Sequence, residues 1–281
     1  MKSSLLLLLT GLALVPALGA AESETMAERN LRRIVETQKA LLADAAKQGD
    51  KLDESSFKQQ VQMLTHDYEL LLRNNPSYAA AYAAYGYLLG KIGMRKEATS
   101  MLLKANLLDP DMALVKNQLG NALAEEGRPL QAAPYFIAAI KLEPNEPLYH
   151  YQLGTVLAEA REEFLKTGEW TRATLDAAMH HAFQRAAELA PERFEFAYRY
   201  AESFYDLENP DWEAALKAWS ALEDKAQTPI ERQTMRLHAA NICIKSGRLD
   251  HARALLETVD DPKLKVQKDR LLPQLAPPEK K

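Results

Sequence analysis

Two stretches decide the reading: residues 79–110, AAAYAAYGYLLGKIGMRKEATSMLLKANLLDP, and residues 113–144, ALVKNQLGNALAEEGRPLQAAPYFIAAIKLEP. Set one above the other at an offset of 34 residues, their small and large positions coincide. Tyr82-x2-Tyr85-Gly86-x2-Leu89 falls on Lys116-x2-Leu119-Gly120-x2-Leu123, and Ala98-x3-Leu102-x2-Ala105 falls on Ala132-x3-Phe136-x2-Ala139. Prolines keep the same interval at Pro76, Pro110 and Pro144, each after a polar residue: Asn75, Asp109 and Glu143. So many size-matched slots at one period mark an internal repeat.

Each block contains two apolar-periodic segments, separated by Gly93 in one and Gly127 in the other. Apolar spacing near 3.6 predicts helices, glycine suits the positive φ that ends a helix, and a proline keeps the next helix from running through. Gly86, Ala98, Gly120 and Ala132 stand where two helices approach closely, and Leu89, Leu102, Leu123 and Phe136 fill the space between. A lone hairpin of this kind cannot bury its apolar faces, so it has to stack on its neighbours.

These residues closely resemble the tetratricopeptide repeat (TPR) family, whose pattern over 34 residues is W-x2-L-G-x2-Y, then A-x3-F, then P. The match is strongest over 79–144. Leu64-x3-Tyr68-x2-Leu71 with Pro76 reproduces the second half of a repeat upstream. His150-x2-Leu153-Gly154-x2-Leu157, closed by Phe183-x2-Ala186 and Pro191, forms a third. Ala197-x2-Tyr200-Ala201-x2-Phe204 with Ala215-x3-Trp219 is a degenerate fourth, and Ala239-Ala240-x2-Cys243 with Ala252-x3-Leu256 a weaker fifth. The resemblance implies an all-α fold, a right-handed α-solenoid of stacked helix-turn-helix repeats.

The expected organisation is a signal peptide at 1–20, an N-terminal capping helix and half-repeat at 26–75, TPR-like repeats at 76–191 and degenerate ones at 192–259. A capping helix and flexible tail follow at 260–281. Pro144 and Pro191 are 47 residues apart, so the third repeat is lengthened around 161–174. Apolar spacing continues through Leu157 and Phe164 and resumes at Leu175, which predicts two helices each longer by about two turns, tipped at Thr167-Gly168. An insertion loop is the alternative. Leu31, Ile34, Val35, Gln38, Leu41, Leu42 and Ala45 share one face of a helix that covers the array's first apolar face.

Lys2, the apolar run Leu5 to Val15, Pro16 and the small residues Gly19, Ala20 and Ala21 have the layout of a secretory signal peptide, with cleavage between Gly19 and Ala21. The run is about half the roughly 20 residues a membrane helix needs, which leaves an uncleaved anchor as the alternative. Export to the periplasm or outside the cell is therefore expected, and no membrane span after cleavage. The 281 residues carry 35 Lys+Arg against 39 Asp+Glu, and no dense basic stripe, which argues against nucleic acid as partner. The lone Cys243 excludes an intramolecular disulfide, and its slot between repeat helices predicts an inert, buried thiol.

No GxGxxG, Walker, HExxH or GxSxG pattern occurs, so no enzyme and no cofactor is expected. Asp176 and His180 stand at i, i+4, a two-ligand face without an evident third ligand, so no metal site is expected either. In stacked hairpins the first helices line a concave wall. The inward positions are Ala80, Ala83, Tyr87, Gly90 and Lys91, then Leu114, Asn117, Asn121, Ala124 and Glu125, then Leu148, Tyr151, Thr155, Ala158 and Glu159, and last Glu195, Tyr198, Glu202, Tyr205 and Asp206. Of these, Tyr87, Asn117, Asn121, Glu125, Tyr151, Glu159, Tyr198 and Glu202 are expected to make the binding groove. The wall then has tyrosines and asparagines for grip and carboxylates along one lip. Some TPR domains hold a C-terminal carboxylate through Lys-x3-Asn, Asn and Lys-x3-Arg. Here those slots are Asn117-x3-Asn121, Gln152 and Glu195-x3-Arg199, so both lysines are missing and that clamp is rejected. The expected function is an exported, non-enzymatic scaffold whose groove binds an extended or helical protein segment with apolar anchors and some positive charge. The alternative is a non-catalytic helper subunit of a cell-envelope enzyme or assembly complex. Partner and oligomeric state are open.

Overall fold

A computed structural model describes residues 24–275, and the expected signal peptide and the Pro277–Lys281 tail lie outside them. Every regular element among the described residues is helical, with no strand. The chain divides into two compact units, Met1–Arg128 and Pro129–Lys281.

The first unit holds α1 (Met26–Gln48), α2 (Glu54–Asn74), α3 (Ala79–Lys91), α4 (Arg95–Leu108) and α5 (Ala113–Glu125). Thr25 and Glu28 cap α1 reciprocally, and Asp53 accepts from two backbone N–H groups at the start of α2. The expected cap helix forms a hairpin: Ile34 and Leu41 of α1 join Leu64, Tyr68 and Leu71 of α2 in one core. Buried Gln38 accepts a 2.6 Å hydrogen bond from Tyr68, whose ring stacks on Tyr85 of α3 at 5.1 Å. The hairpin α3–α4 turns at Gly93, φ 83°, where Met94 N–H reaches back to the Leu89 carbonyl at 2.9 Å. The same bond recurs from Arg128 to Leu123 and from Arg248 to Cys243, so three turns close identically. Gly86 is required by contact: a Cβ there would lie 2.8 Å from Leu102 Cγ.

The second unit holds α6 (Pro129–Leu142), α7 (Pro147–Glu159), α8 (Arg161–Lys166), α9 (Arg172–Leu189), α10 (Phe194–Ser203), α11 (Trp212–Lys225), α12 (Pro229–Lys245), α13 (Leu249–Glu257) and α14 (Lys265–Leu271). Helix α7 pairs with α9, α11 with α12, and α12 with α13. Trp219, Leu222, Met235 and Ile242 fill one core, and Cys243, Ala252, Leu256 and Leu264 another. Cys243 is fully buried, and burial pushes its thiol pKa up.

The lengthened third repeat departs from expectation. Its first helix does not continue: Ala160, at φ −103° and ψ 23°, ends α7 at the usual length of 13 residues. A six-residue helix, α8, restarts at once and the chain turns at Gly168, φ 74°. Helix α9, started by the Thr171–Thr174 capping pair, has 18 residues against 14 in α4 and α6, one turn more rather than two. Burial explains the break. The bend turns Phe164 into the core at 4% exposure, edge-on to Trp170, where a straight arm gives it no partner. The insertion is thus neither an unstructured loop nor a pair of continuous arms.

Candidate functional site

The second unit has an open cleft of about 680 Å³. One wall is α7, presenting Tyr151, Thr155, Ala158 and Glu159 at i, i+4, i+7 and i+8. The other is the end of α10 with the 3-10 turn after it, presenting Arg199, Glu202, Tyr205 and Asp206. Arg161, first residue of α8, closes one end.

Its side chains hold one another in place. The Tyr151 ring stacks on Phe196 with centroids 4.6 Å apart, and its hydroxyl donates to Glu195 Oε1 at 2.7 Å. Burial, and then the bond to that carboxylate, push the hydroxyl's pKa up. Arg199 pairs with Glu202 and lies over the Phe183 ring, 4.9 Å from its centre. Arg161 Nε is 2.8 Å from Asp176 Oδ1, an ion pair rather than an aligned hydrogen bond, and its terminal nitrogen is 3.0 Å from Asp206. Asp176 is 1% exposed and is also held by Arg172 at 2.5 Å. That carboxylate is therefore committed to arginines while His180 bonds Ser203 at 2.8 Å, so the two present no common metal face. Behind the cleft the Tyr205 hydroxyl is 3.4 Å from the His238 carbonyl, and His238 stacks on Trp219 at 3.9 Å. Burial brings the His238 pKa down to about 4.

Of the expected wall residues, Tyr151, Glu159 and Glu202 line this cleft together. Tyr198 does not: its ring is turned edge-on to Trp219 at 5.2 Å, drawn into the aromatic core by that large buried neighbour. Tyr87, Asn117, Asn121 and Glu125 belong to the first unit. Asn117 is completely buried, with Nδ2 and Oδ1 unpartnered, because it shares its helical stripe with the buried Ala113 and Gly120. It faces no groove. Asn121 and Tyr87 are half-buried, with the Lys91 ammonium 5.4 Å from the Tyr87 ring centre. Glu125 is exposed, 3.7 Å from Arg95. The expected row of bare carboxylates is also changed, because Arg161 and Arg199 neutralise Asp206 and Glu202. Arg199 was visible as the matching end of the rejected clamp. Arg161 had no signal, since its role depends on the break at Ala160.

A sequence profile of the tetratricopeptide repeat matches residues 113–146. Among solved structures, YrrB, described as a TPR protein with an unusual peptide-binding site, superposes with a TM-score of 0.58 at 18% identity, over 73% of this chain and 94% of its own. Pseudomonas aeruginosa PilF superposes at 0.59 with 15% identity, over 89% of this chain and all of its own. The chain has the tetratricopeptide-repeat fold, with one repeat matched in sequence at 113–146. PilW, described as a widely conserved type IV pilus biogenesis factor, also shares the TPR fold at a TM-score of 0.55 and 13% identity, over 89% of this chain and 100% of its own. No curated protein matches this TPR chain in sequence. No helix among its described residues is long and apolar enough to cross a membrane.

Proposed function

We propose that the protein is an exported, non-enzymatic interaction scaffold whose cleft between α7 and α10 binds a segment of a partner protein. The observation that carries this reading is the cleft itself: open, about 680 Å³, and walled by two tyrosines and two arginines held in fixed positions. Pre-set aromatic and guanidinium groups lose little entropy on binding, which is what a surface for a flexible segment needs. A peptide-binding site in YrrB, a protein of the same fold, supports the same use of this one. Export rests on the apolar run Leu5 to Val15 and the small residues up to Ala21.

The test is affinity capture from a cell-envelope fraction with the wild type and two variants, Tyr151→Ala, which removes the main ring, and Ala158→Trp, which fills the cleft. A partner captured by the wild type and lost with both variants, at unchanged circular dichroism, is the expected result. Equal capture by all three refutes the cleft. Mass spectrometry of the mature chain tests cleavage of the signal separately, with an N-terminus between Gly19 and Ala21 expected and an intact N-terminal segment contradicting it.

A further inference from the structure

The charges around the cleft leave one carboxylate uncompensated. Asp176 and Asp206 share Arg161 and Arg172, two anions with two cations. Glu202 is matched by Arg199, and Glu195 receives the Tyr151 hydroxyl and lies 4.0 Å from Arg193. Glu159 is exposed on the cleft wall and has no ion pair or hydrogen bond among the described residues. It follows Ala158 and stands two turns along α7 from Tyr151, so a long side chain reaching it passes the Tyr151 ring, Thr155 and the Ala158 methyl.

We propose that the cleft selects a segment carrying one basic side chain, lysine or arginine, flanked by small or apolar residues, with the cation at Glu159 and its stem along Ala158 and Tyr151. The inference rests on the cleft being the binding site and specifies what it accepts. Charge complementarity decides the occupant. An acidic side chain meets an unpaired carboxylate, and a second basic one meets Arg161 or Arg199, each already held by carboxylates. The insertion sets this preference through Arg161: without it, Asp206 is a second bare carboxylate and the cleft favours a doubly basic segment. A long side chain suits the site because its methylenes cover apolar surface while its charge stays at the rim.

The experiment displays random 12-residue peptides to the immobilised full chain and measures synthetic copies of the selected sequences by fluorescence anisotropy. Selected peptides are expected to share a single Lys or Arg in a fixed register. The best of them binds Glu159→Gln about tenfold more weakly, the loss of one charge-assisted hydrogen bond at a partly solvated site. Its lysine-to-norleucine analogue loses the same factor on the wild type and nothing further on Glu159→Gln. Glu159 is exposed and has no ion pair or hydrogen bond among the described residues, so this variant keeps the fold. Selection of acidic or uncharged peptides, or equal binding to Glu159→Gln, overturns the inference and leaves the cleft standing if Ala158→Trp still abolishes binding. Peptides that bind Ala158→Trp as well as wild type, or a selection without binders, overturn both readings.

Discussion

Gly154→Ala separates close helix packing from helix propensity. Gly154 lies inside α7, where alanine adds about 1 kcal/mol of propensity and no structural reason other than space calls for glycine. Space is lacking: a Cβ at this position stands 2.8 Å from both Cδ1 and Cε1 of Phe183 and 3.1 Å from Cγ. Ordinary carbon contacts are about 3.5–4.0 Å, so the ring has to retreat by roughly 0.7 Å or more. Phe183 is 1% exposed, with Tyr151 tilted against it at 5.9 Å and the Arg199 guanidinium over its face, so the ring can retreat only by displacing these two cleft residues. Overpacking of a dense core costs about 1–3 kcal/mol, which leaves a net destabilisation of between about 0 and 2 kcal/mol after the propensity gain. Gly90→Ala supplies the contrast. It is also helical, and its Cβ meets only Ala98 Cβ, at 3.8 Å, so the same exchange is neutral or stabilising by up to about 1 kcal/mol. Urea denaturation followed by circular dichroism measures both. Because the displaced ring supports two cleft residues, Gly154→Ala also weakens peptide binding. Equal effects from the two substitutions, or a gain in stability from Gly154→Ala, refute the argument that contact with Phe183 dictates glycine.

Other outcomes follow from the same contacts. Phe136→Ala removes a ring that is 1% exposed and lowers stability by about 3–5 kcal/mol in the same denaturation assay. Asp176→Ala strips two arginines of their buried partner and costs about 3 kcal/mol, the low end for a broken buried pair because Arg172 is half in solvent. His238, held neutral with its pKa down near 4, contributes stability that is present above its unfolded pKa of about 6.5 and is lost as pH falls toward 4. His238→Phe flattens that slope in denaturation midpoints measured across the window.

The repeat was legible because its packing is local and periodic. Gly154 and Phe183 sit in matching slots of the pattern, and the structure places them in direct contact. The turn at Gly168 was likewise legible from a positive-φ residue between two apolar runs. The bend at Ala160 was not, since Leu157 and Phe164 stay seven residues apart whether the helix runs straight or restarts. With the bend went the cleft's charge: Arg161 reaches Asp206, 45 residues on, only because α8 turns back. Tyr198 and Asn117 show a different limit. Slot position alone makes both inward-facing, but Trp219 captures one ring, and the buried stripe of α5 takes the other side chain.

The most direct measurement of the central claim is site-specific photocrosslinking in the cell envelope, with a photoreactive amino acid placed at Thr155 in the cleft or at exposed Glu188 on α9, outside it. Mass spectrometry then identifies the peptides joined to each position. The account predicts adducts from Thr155 with one contiguous segment of one partner, carrying a single basic residue, and their loss when Tyr151→Ala is added. Adducts that form equally from Glu188, or that survive Tyr151→Ala unchanged, contradict it.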